Sequence, residues 1–183
     1  LSALPDIFVL EKPEEDEKQN LADLTAVAAE AIAVYQTMRE TEGAAMAADL
    51  SSRAETIRGL VGRVEERSPV TLAEYRTRLE NKLREVLAGT TIDESRILTE
   101  AAIFADRIAV DEETVRLHSH VAQYREILEL DEPIGRKLDF LTQELNRESN
   151  TIGSKCQDIA ITRLVVELKS EIEKIREQIQ NIE

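Results

Sequence analysis

An all-α fold of elongated antiparallel helical hairpins, ending in a coiled-coil-like helix, is what this sequence predicts, on three observations. Three Phe, three Tyr and no Trp in 183 residues leave the core to aliphatic side chains. Six Gly and four Pro supply little material for the tight turns that a sheet requires. Apolar residues recur at three- and four-residue steps through most of the chain, the period of a helix with one buried face.

Residues Leu1 to Asn20 hold two prolines, the apolar stretch Ile7-Phe-Val-Leu10 and the acidic run Glu14-Glu-Asp-Glu17, and read as an extended linker. From Leu21 to about Arg67 runs one long helical pattern, or two helices meeting near Thr41 to Gly43. Its apolar face carries Leu24, Val27, Ala28, Ala31, Val34, Tyr35 and Met38, then Met46, Leu50, Ile57, Leu60, Val61 and Val64. Ser68-Pro69 is expected to close it, and a second helix from Thr71 to Ala88, stopped by Gly89, folds back to make a hairpin over residues 21–90. Residues 91–183 form the second helical region. Asp93 caps a helix carrying Ile97, Leu98, Ala101, Ala102 and Phe104. Asp111, Glu112 and Glu113 open the next helix, where acids suit the dipole and read as capping. On that helix, about Asp111 to Leu130, the apolar face is Val115, Val121, Tyr124 and Leu128. Arg116 and His120 are i, i+4 neighbours beside it, whereas His118 points away, so the two histidines cannot clamp one metal.

The stretch from Pro133 to Lys155 is organised differently. At about 100° per residue, Ile134, Leu138, Leu141, Leu145 and Ile152 share one side. Asp139, Gln143, Asn146 and Asn150 form a narrow polar stripe opposite, flanked by Arg136 and Arg147, and Glu144 and Glu148 make an i, i+4 carboxylate pair. Asn is a poor helix former and offers water nothing that Glu or Lys does not. The stripe is either a set of directed hydrogen-bonding groups or a polar face or amide network between helices. The last helix, about Gln157 to Asn181, spaces Ile161, Leu164, Leu168, Ile172, Ile175, Ile179 and Ile182 as a seam that closes a hairpin or mates with another subunit.

Composition bounds the function. One cysteine, Cys156, excludes an internal disulfide and fits a reducing cytosol. No apolar run approaches the roughly 20 residues that span a bilayer, so no membrane partner is expected, and no signal peptide is visible. A net charge of −14 opposes a general nucleic-acid-coating surface. Between Pro133 and Arg163, however, Arg136, Lys137, Arg147, Lys155 and Arg163 slightly outnumber Asp139, Glu144, Glu148 and Asp158.

The run Arg136-Lys-Leu-Asp-Phe-Leu-Thr-Gln-Glu-Leu-Asn-Arg-Glu-Ser-Asn-Thr-Ile-Gly-Ser-Lys155, followed by Thr162-Arg-Leu-Val-Val-Glu-Leu-Lys169 and Ile175-Arg-Glu-Gln-Ile-Gln-Asn-Ile-Glu183, closely resembles the C-terminal part of the YicC/YloC family. Met38-Arg39, Glu42-Gly43, Asp49-Leu50, Ala105-Asp-Arg107, Glu112-Glu113 and Arg116-Leu-His-Ser-His120 resemble its central segment. The resemblance implies a bacterial, cytoplasmic, metal-dependent endoribonuclease of a group once known only as stress-induced, assembled as a homo-oligomer, in the family a ring-like hexamer. Family members open with a separate, largely β domain. The chain shows no such segment, so it is expected to be a fragment with residues 1–20 as the linker from that domain, and weak or inactive on RNA alone.

On motif membership and helix face, Asp139, Glu144 and Glu148 are the candidate metal ligands or base, since Mg²⁺ and Mn²⁺ prefer carboxylate oxygen. His120 is the candidate acid or base. Arg116, Arg136, Arg147 and Lys155 would bind phosphate, and Gln143, Asn146 and Asn150 would hydrogen-bond single-stranded RNA. The competing reading is a non-catalytic helical scaffold whose stripe is an assembly contact.

Overall fold

The computed structural model describes residues 16–86, 94–180 and 182. Among them are five helices and no strand: α1 Glu17–Val86, α2 Glu94–Ile108, α3 Asp111–Leu128, α4 Gly135–Lys155 and α5 Ile159–Ile179. The all-α expectation holds. The chain divides within α1 into two compact units, Leu1–Ala45 and Met46–Glu183. In the first, Leu21, Leu24, Val27, Val34, Tyr35 and Met38 are exposed. Of the linker expected over residues 1–20, residues 1–15 lie outside the described residues, as do the Asp93 cap and the Gly89 stop, whereas residues 17–20 are not extended but form the first turn of α1.

In the second unit a single core joins Leu50, Ile57, Val61 and Val64 of α1 to Leu117, Val121 and Tyr124 of α3, Leu138, Leu145 and Ile152 of α4, and Leu168, Ile172 and Ile175 of α5. Each fully buried Leu or Ile in such a core stabilises the fold by about 1.5–3 kcal/mol. The helical period explains the selection, because these residues return to one face every three or four positions. The α5 seam, read from sequence as serving either a hairpin or another subunit, is buried in this same core. Helix α4 packs on both α3 and α5. Its approach to α5 is close at Gly153, where a Cβ would lie 3.2 Å from Val165 Cγ1.

Two expectations fail here. The hairpin over residues 21–90 is not formed, because α1 continues through Gly43 and through Pro69 to Val86. Proline removes one backbone donor and crowds the preceding turn, at a cost of about 3 kcal/mol in a helix interior. The turns on both sides are anchored: Val64 and Thr71 are buried, and the Arg67 guanidinium spans the proline to grip Glu74 through two bonds of 3.0 and 2.9 Å. Val115 and Leu98, expected on apolar faces, are exposed. The inner face of α3 runs through Leu117, Val121 and Tyr124, about 200° from Val115 on the wheel, and that of α2 through Ile97, Ala101, Phe104 and Ile108.

The turn from α4 into α5 is three residues long and rests on Asp158. Its carboxylate accepts the Ile161 backbone N–H at 2.9 Å as an N-cap and also takes the Arg67 guanidinium at 2.7 Å, tying α5 to α1. Arg53 with Glu171 at 3.1 Å repeats the tie further along the two helices.

The Arg67 guanidinium, chiefly, and the Ile161 amide hold the Asp158 carboxyl down at about 2, against burial that would raise it. The folded value is below the unfolded value of about 3.9, so the ionised group stabilises the fold. That contribution is fully present above about pH 4 and is lost as pH falls through about 2. Asn retains capping ability, so Asp158→Asn removes mainly the charge. Urea melts from pH 6 to pH 2 should show the wild-type advantage over Asp158→Asn shrinking below about pH 4. A constant gap down to pH 2 would show that the ion pair contributes nothing.

Candidate functional site

Helices α3 and α4 face each other along two polar stripes rather than along apolar surface alone. On α3 the stripe is Glu113, Arg116, His120 and Tyr124, spaced three, four and four residues apart. On α4 it is Glu144, Glu148 and Lys155, the first pair one turn apart and the last two turns on. Two of these carboxylates are almost fully withdrawn from water, with side-chain exposures of 4% for Glu113 and 6% for Glu148. Buried carboxylates persist only where cations and donors replace water. Lys155 supplies both for Glu113: its ammonium donates to the two carboxylate oxygens at 3.0 and 3.1 Å and to the Ala109 carbonyl at 3.0 Å. Arg116 bridges the helices, with Nε 3.0 Å from Glu148 Oε1 and Nη2 3.4 Å from Glu113 Oε1, and with Glu112 at 3.7 Å.

Beyond this clamp, His120, Glu144 and Glu148 converge so that one ligand atom from each lies within 4.8 Å of the others. The His120 ring nitrogens are both buried and neither has a hydrogen-bond partner; the Tyr124 hydroxyl, one turn on, is in the same condition. Burial also pushes the Tyr124 phenol above its ordinary value, keeping it protonated. A neutral imidazole always carries one N–H donor and one acceptor, so two unpaired ring nitrogens in a protein interior cost free energy. One imidazole and two carboxylates are a donor set that a divalent cation such as Mn²⁺ would satisfy. The residues therefore fit a metal.

The sequence-predicted residues separate into three groups. His120, Glu144 and Glu148 come together, although His120 was expected as acid or base and not as a ligand. Asp139 does not join them: it lies on the exposed stripe, where its carboxylate accepts from Gln143 Nε2 at 2.9 Å. It sits about 140° from Glu144 around α4, which places the two on different faces. Lys155 is engaged by Glu113 and Ala109, which leaves it poorly placed for phosphate, and Arg116 remains half-exposed between two carboxylates. Gln143, Asn146, Arg147 and Asn150 line one open cleft of about 550 Å³ together with Arg176 of α5. Arg136 is exposed in the first turn of α4. The residue that sequence reasoning missed is Glu113. An acid at a helix start reads as capping, and only its i, i+3 relation to Arg116 hinted at more. His118, set aside from the site, reaches Glu65 of α1 at 3.3 Å. No helix among the described residues is long and apolar enough to cross a membrane.

A family model for the C-terminal region of YicC-like endoribonucleases matches residues 64–183. A probable endoribonuclease YicC of Clostridioides difficile (strain 630) is 44% identical over 184 residues, covering 100% of this chain and 63% of the relative. A probable endoribonuclease YicC of Haemophilus influenzae (strain ATCC 51907 / DSM 11121 / KW20 / Rd) is 38% identical over 175 residues, covering 96% of this chain and 60% of the relative. The chain thus spans less than two thirds of the length of these relatives.

The Glu113–Lys155 pair can be tested without reference to activity. Lys155→Met leaves the Glu113 carboxylate buried with Arg116 alone, which should cost about 2–3 kcal/mol, below the figure for a fully buried pair because Lys155 is one-third exposed. Adding Glu113→Gln should restore part of that loss, with a coupling of about 1–2 kcal/mol in urea melts of the double-mutant cycle. Additive losses would mean that the two side chains do not depend on one another.

Proposed function

The chain belongs to the YicC-like endoribonuclease family, and from that premise we propose that it carries the cutting site of a metal-dependent endoribonuclease acting on single-stranded RNA. The observation that carries the reading is the convergence of His120, Glu144 and Glu148 around two ring nitrogens without protein partners. Mn²⁺ or Mg²⁺ held there by these three side chains would supply positive charge against the charge that builds up on the scissile phosphate. Of the roles open to His120, the geometry favours ligand over general acid or base, and it favours Glu144 and Glu148 over Asp139 as the carboxylates.

The surrounding residues have separate work. Arg116 holds the Glu148 carboxylate in one orientation through Nε and keeps a half-exposed guanidinium at the edge of the cluster. Such a preorganised cation stabilises a phosphate at the moment of reaction without having to move. Arg147, whose Nη1 is 3.7 Å from Glu144, stands between the cluster and the amide stripe and can receive the next phosphate along the strand. Lys155 and Glu113 hold Arg116 and act through it. This arrangement answers the objection raised by a net charge of −14, because the cations needed for RNA are gathered where the carboxylates would bind a metal.

The test is cleavage of a labelled single-stranded RNA with the protein in excess, so that slow cutting is read, beside thermal melts with and without Mn²⁺. Wild type should cut only with Mn²⁺, stop in EDTA, and gain melting temperature from Mn²⁺ by linkage. Glu148→Gln and His120→Ala should each lower the rate by about 10²-fold or more and abolish the Mn²⁺-induced shift. RNA that is bound and left uncut, with no Mn²⁺ shift in wild type, would favour the scaffold reading instead.

A further inference from the structure

The cleft between α4 and α5 makes no use of the cutting chemistry, yet it gathers three amides and two guanidiniums. Gln143, Asn146, Arg147 and Asn150 of α4 and Arg176 of α5 line it, with threonines between them, over about 550 Å³. It has no carboxylate in its wall. Two other clefts of similar volume lie between α1 and α5, and each is walled in part by glutamate: Glu66 and Glu167 in one, Glu167 and Glu171 in the other. In a chain of net charge −14, a cleft with two arginines and no acid selects for an anion.

The amides say what kind of anion. Asn150 Nδ2 donates to Asn146 Oδ1 at 2.7 Å, and Gln143 Nε2 donates to Asp139 Oδ2 at 2.9 Å. These bonds fix the side chains and leave a defined set of groups unspent: the Asn146 amide N–H pair and the second N–H of Asn150 and of Gln143 as donors, and the Asn150 and Gln143 carbonyl oxygens as acceptors. Donors and acceptors together match the edge of a nucleobase, whereas a bare polyanion offers acceptors alone. The two guanidiniums are ion-paired but loosely so: Arg147 lies 3.7 Å from Glu144 and Arg176 3.7 Å from Glu173, beyond hydrogen-bond range in both cases, so their N–H groups remain to be spent on a phosphate.

We propose that this cleft is a nucleotide-reading subsite, in which Arg176 and Arg147 hold a backbone phosphate and the Gln143, Asn146 and Asn150 amides read the base beside it. Arg176 is the residue this adds, contributed by α5 to a surface otherwise built on α4. The subsite rests on the reading of the neighbouring cluster as the place of cutting, since Arg147 joins the two through Glu144. It would set which nucleotide flanks the cut, and it binds without metal.

The experiment is titration of a 2′-O-methyl hexauridylate and a hexaadenylate, neither of which can be cut through the 2′-hydroxyl, into the protein in EDTA. Fluorescence anisotropy gives affinity, and ¹⁵N-resolved NMR of the Asn and Gln side-chain amides gives location. The expected result is binding with shifts at Asn146, Asn150 and Gln143, a preference between the two oligonucleotides, and a loss of about tenfold or more in Arg176→Ala, the size of one charge-assisted hydrogen bond. Inorganic polyphosphate of equal charge should bind more weakly and leave the amides unshifted. Equal binding by Arg176→Ala, absence of amide shifts, or a polyphosphate indistinguishable from RNA would each overturn the subsite. Glu148-dependent cutting that survives such a failure would leave the cutting site standing. Amide shifts with cutting indifferent to Glu148→Gln would leave the subsite standing and remove the cutting site.

Discussion

The site depends on a single constraint: two carboxylates, Glu113 and Glu148, are buried in the contact between α3 and α4 and must be neutralised there. Coulomb attraction at about 3 Å is strong in a protein interior, but so is the cost of removing each charge from water. The balance is favourable only if the geometry is kept. Lys155 at the end of α4 reaches the start of α3, and Arg116 reaches back from α3 to the middle of α4. These crossed contacts set both the rotation and the register of the helices, which an aliphatic seam alone would leave free to slide by a turn. Once that register is set, His120 has no choice but to face Glu144 and Glu148.

Much of this was legible in the sequence and some was not, for physical reasons that differ by residue. The 3.6-residue period located α3, α4 and α5 and most of their buried apolar residues, Leu117 and Val165 excepted, since such helices owe most of their stability to burying one aliphatic face. The same reasoning misjudged Pro69, where local chemistry argues for a break and tertiary anchoring by Val64, Thr71 and the Arg67–Glu74 pair carries the helix through. The pairing of Glu144 with Glu148 followed from i, i+4 spacing, but that spacing says nothing about which other helix they face. Asp139 illustrates the limit of motif membership: the wheel already sets it on the amide stripe, yet as a carboxylate in the same motif it groups with Glu144 and Glu148 as a ligand. Glu113 was hidden because the helix dipole gives an adequate reason for an acid in a first turn, and a second reason leaves no mark in one sequence.

An acidic chain proposed to act on RNA has to solve a field problem, and the arrangement of α4 offers one solution. Its three faces are chemically distinct. The first, with Leu138, Leu145 and Ile152, is spent on the core. The second, with Glu144 and Glu148, meets α3 and its cations. The third, carrying the amide stripe, faces solvent beside Arg176. Arg147 stands on the edge between the second and third, so a strand lying along the amides would approach the carboxylates past a guanidinium. Holding Glu144 and Glu148 roughly 140° of helix rotation from the amides lets one element present both without a net repulsive surface.

The divalent-metal centre proposed for His120, Glu144 and Glu148 stands or falls on where a cation sits between α3 and α4. An anomalous-difference map decides this, from crystals of the chain grown with Mn²⁺ and measured above and below the manganese absorption edge. The expected peak is bounded by a His120 ring nitrogen and by oxygens of Glu144 and Glu148 at about 2.0–2.3 Å, with Asp139 remote from it. A peak at Asp139 on the exposed stripe, or His120 paired instead with a protein group or water while no manganese enters the α3–α4 contact, would contradict it.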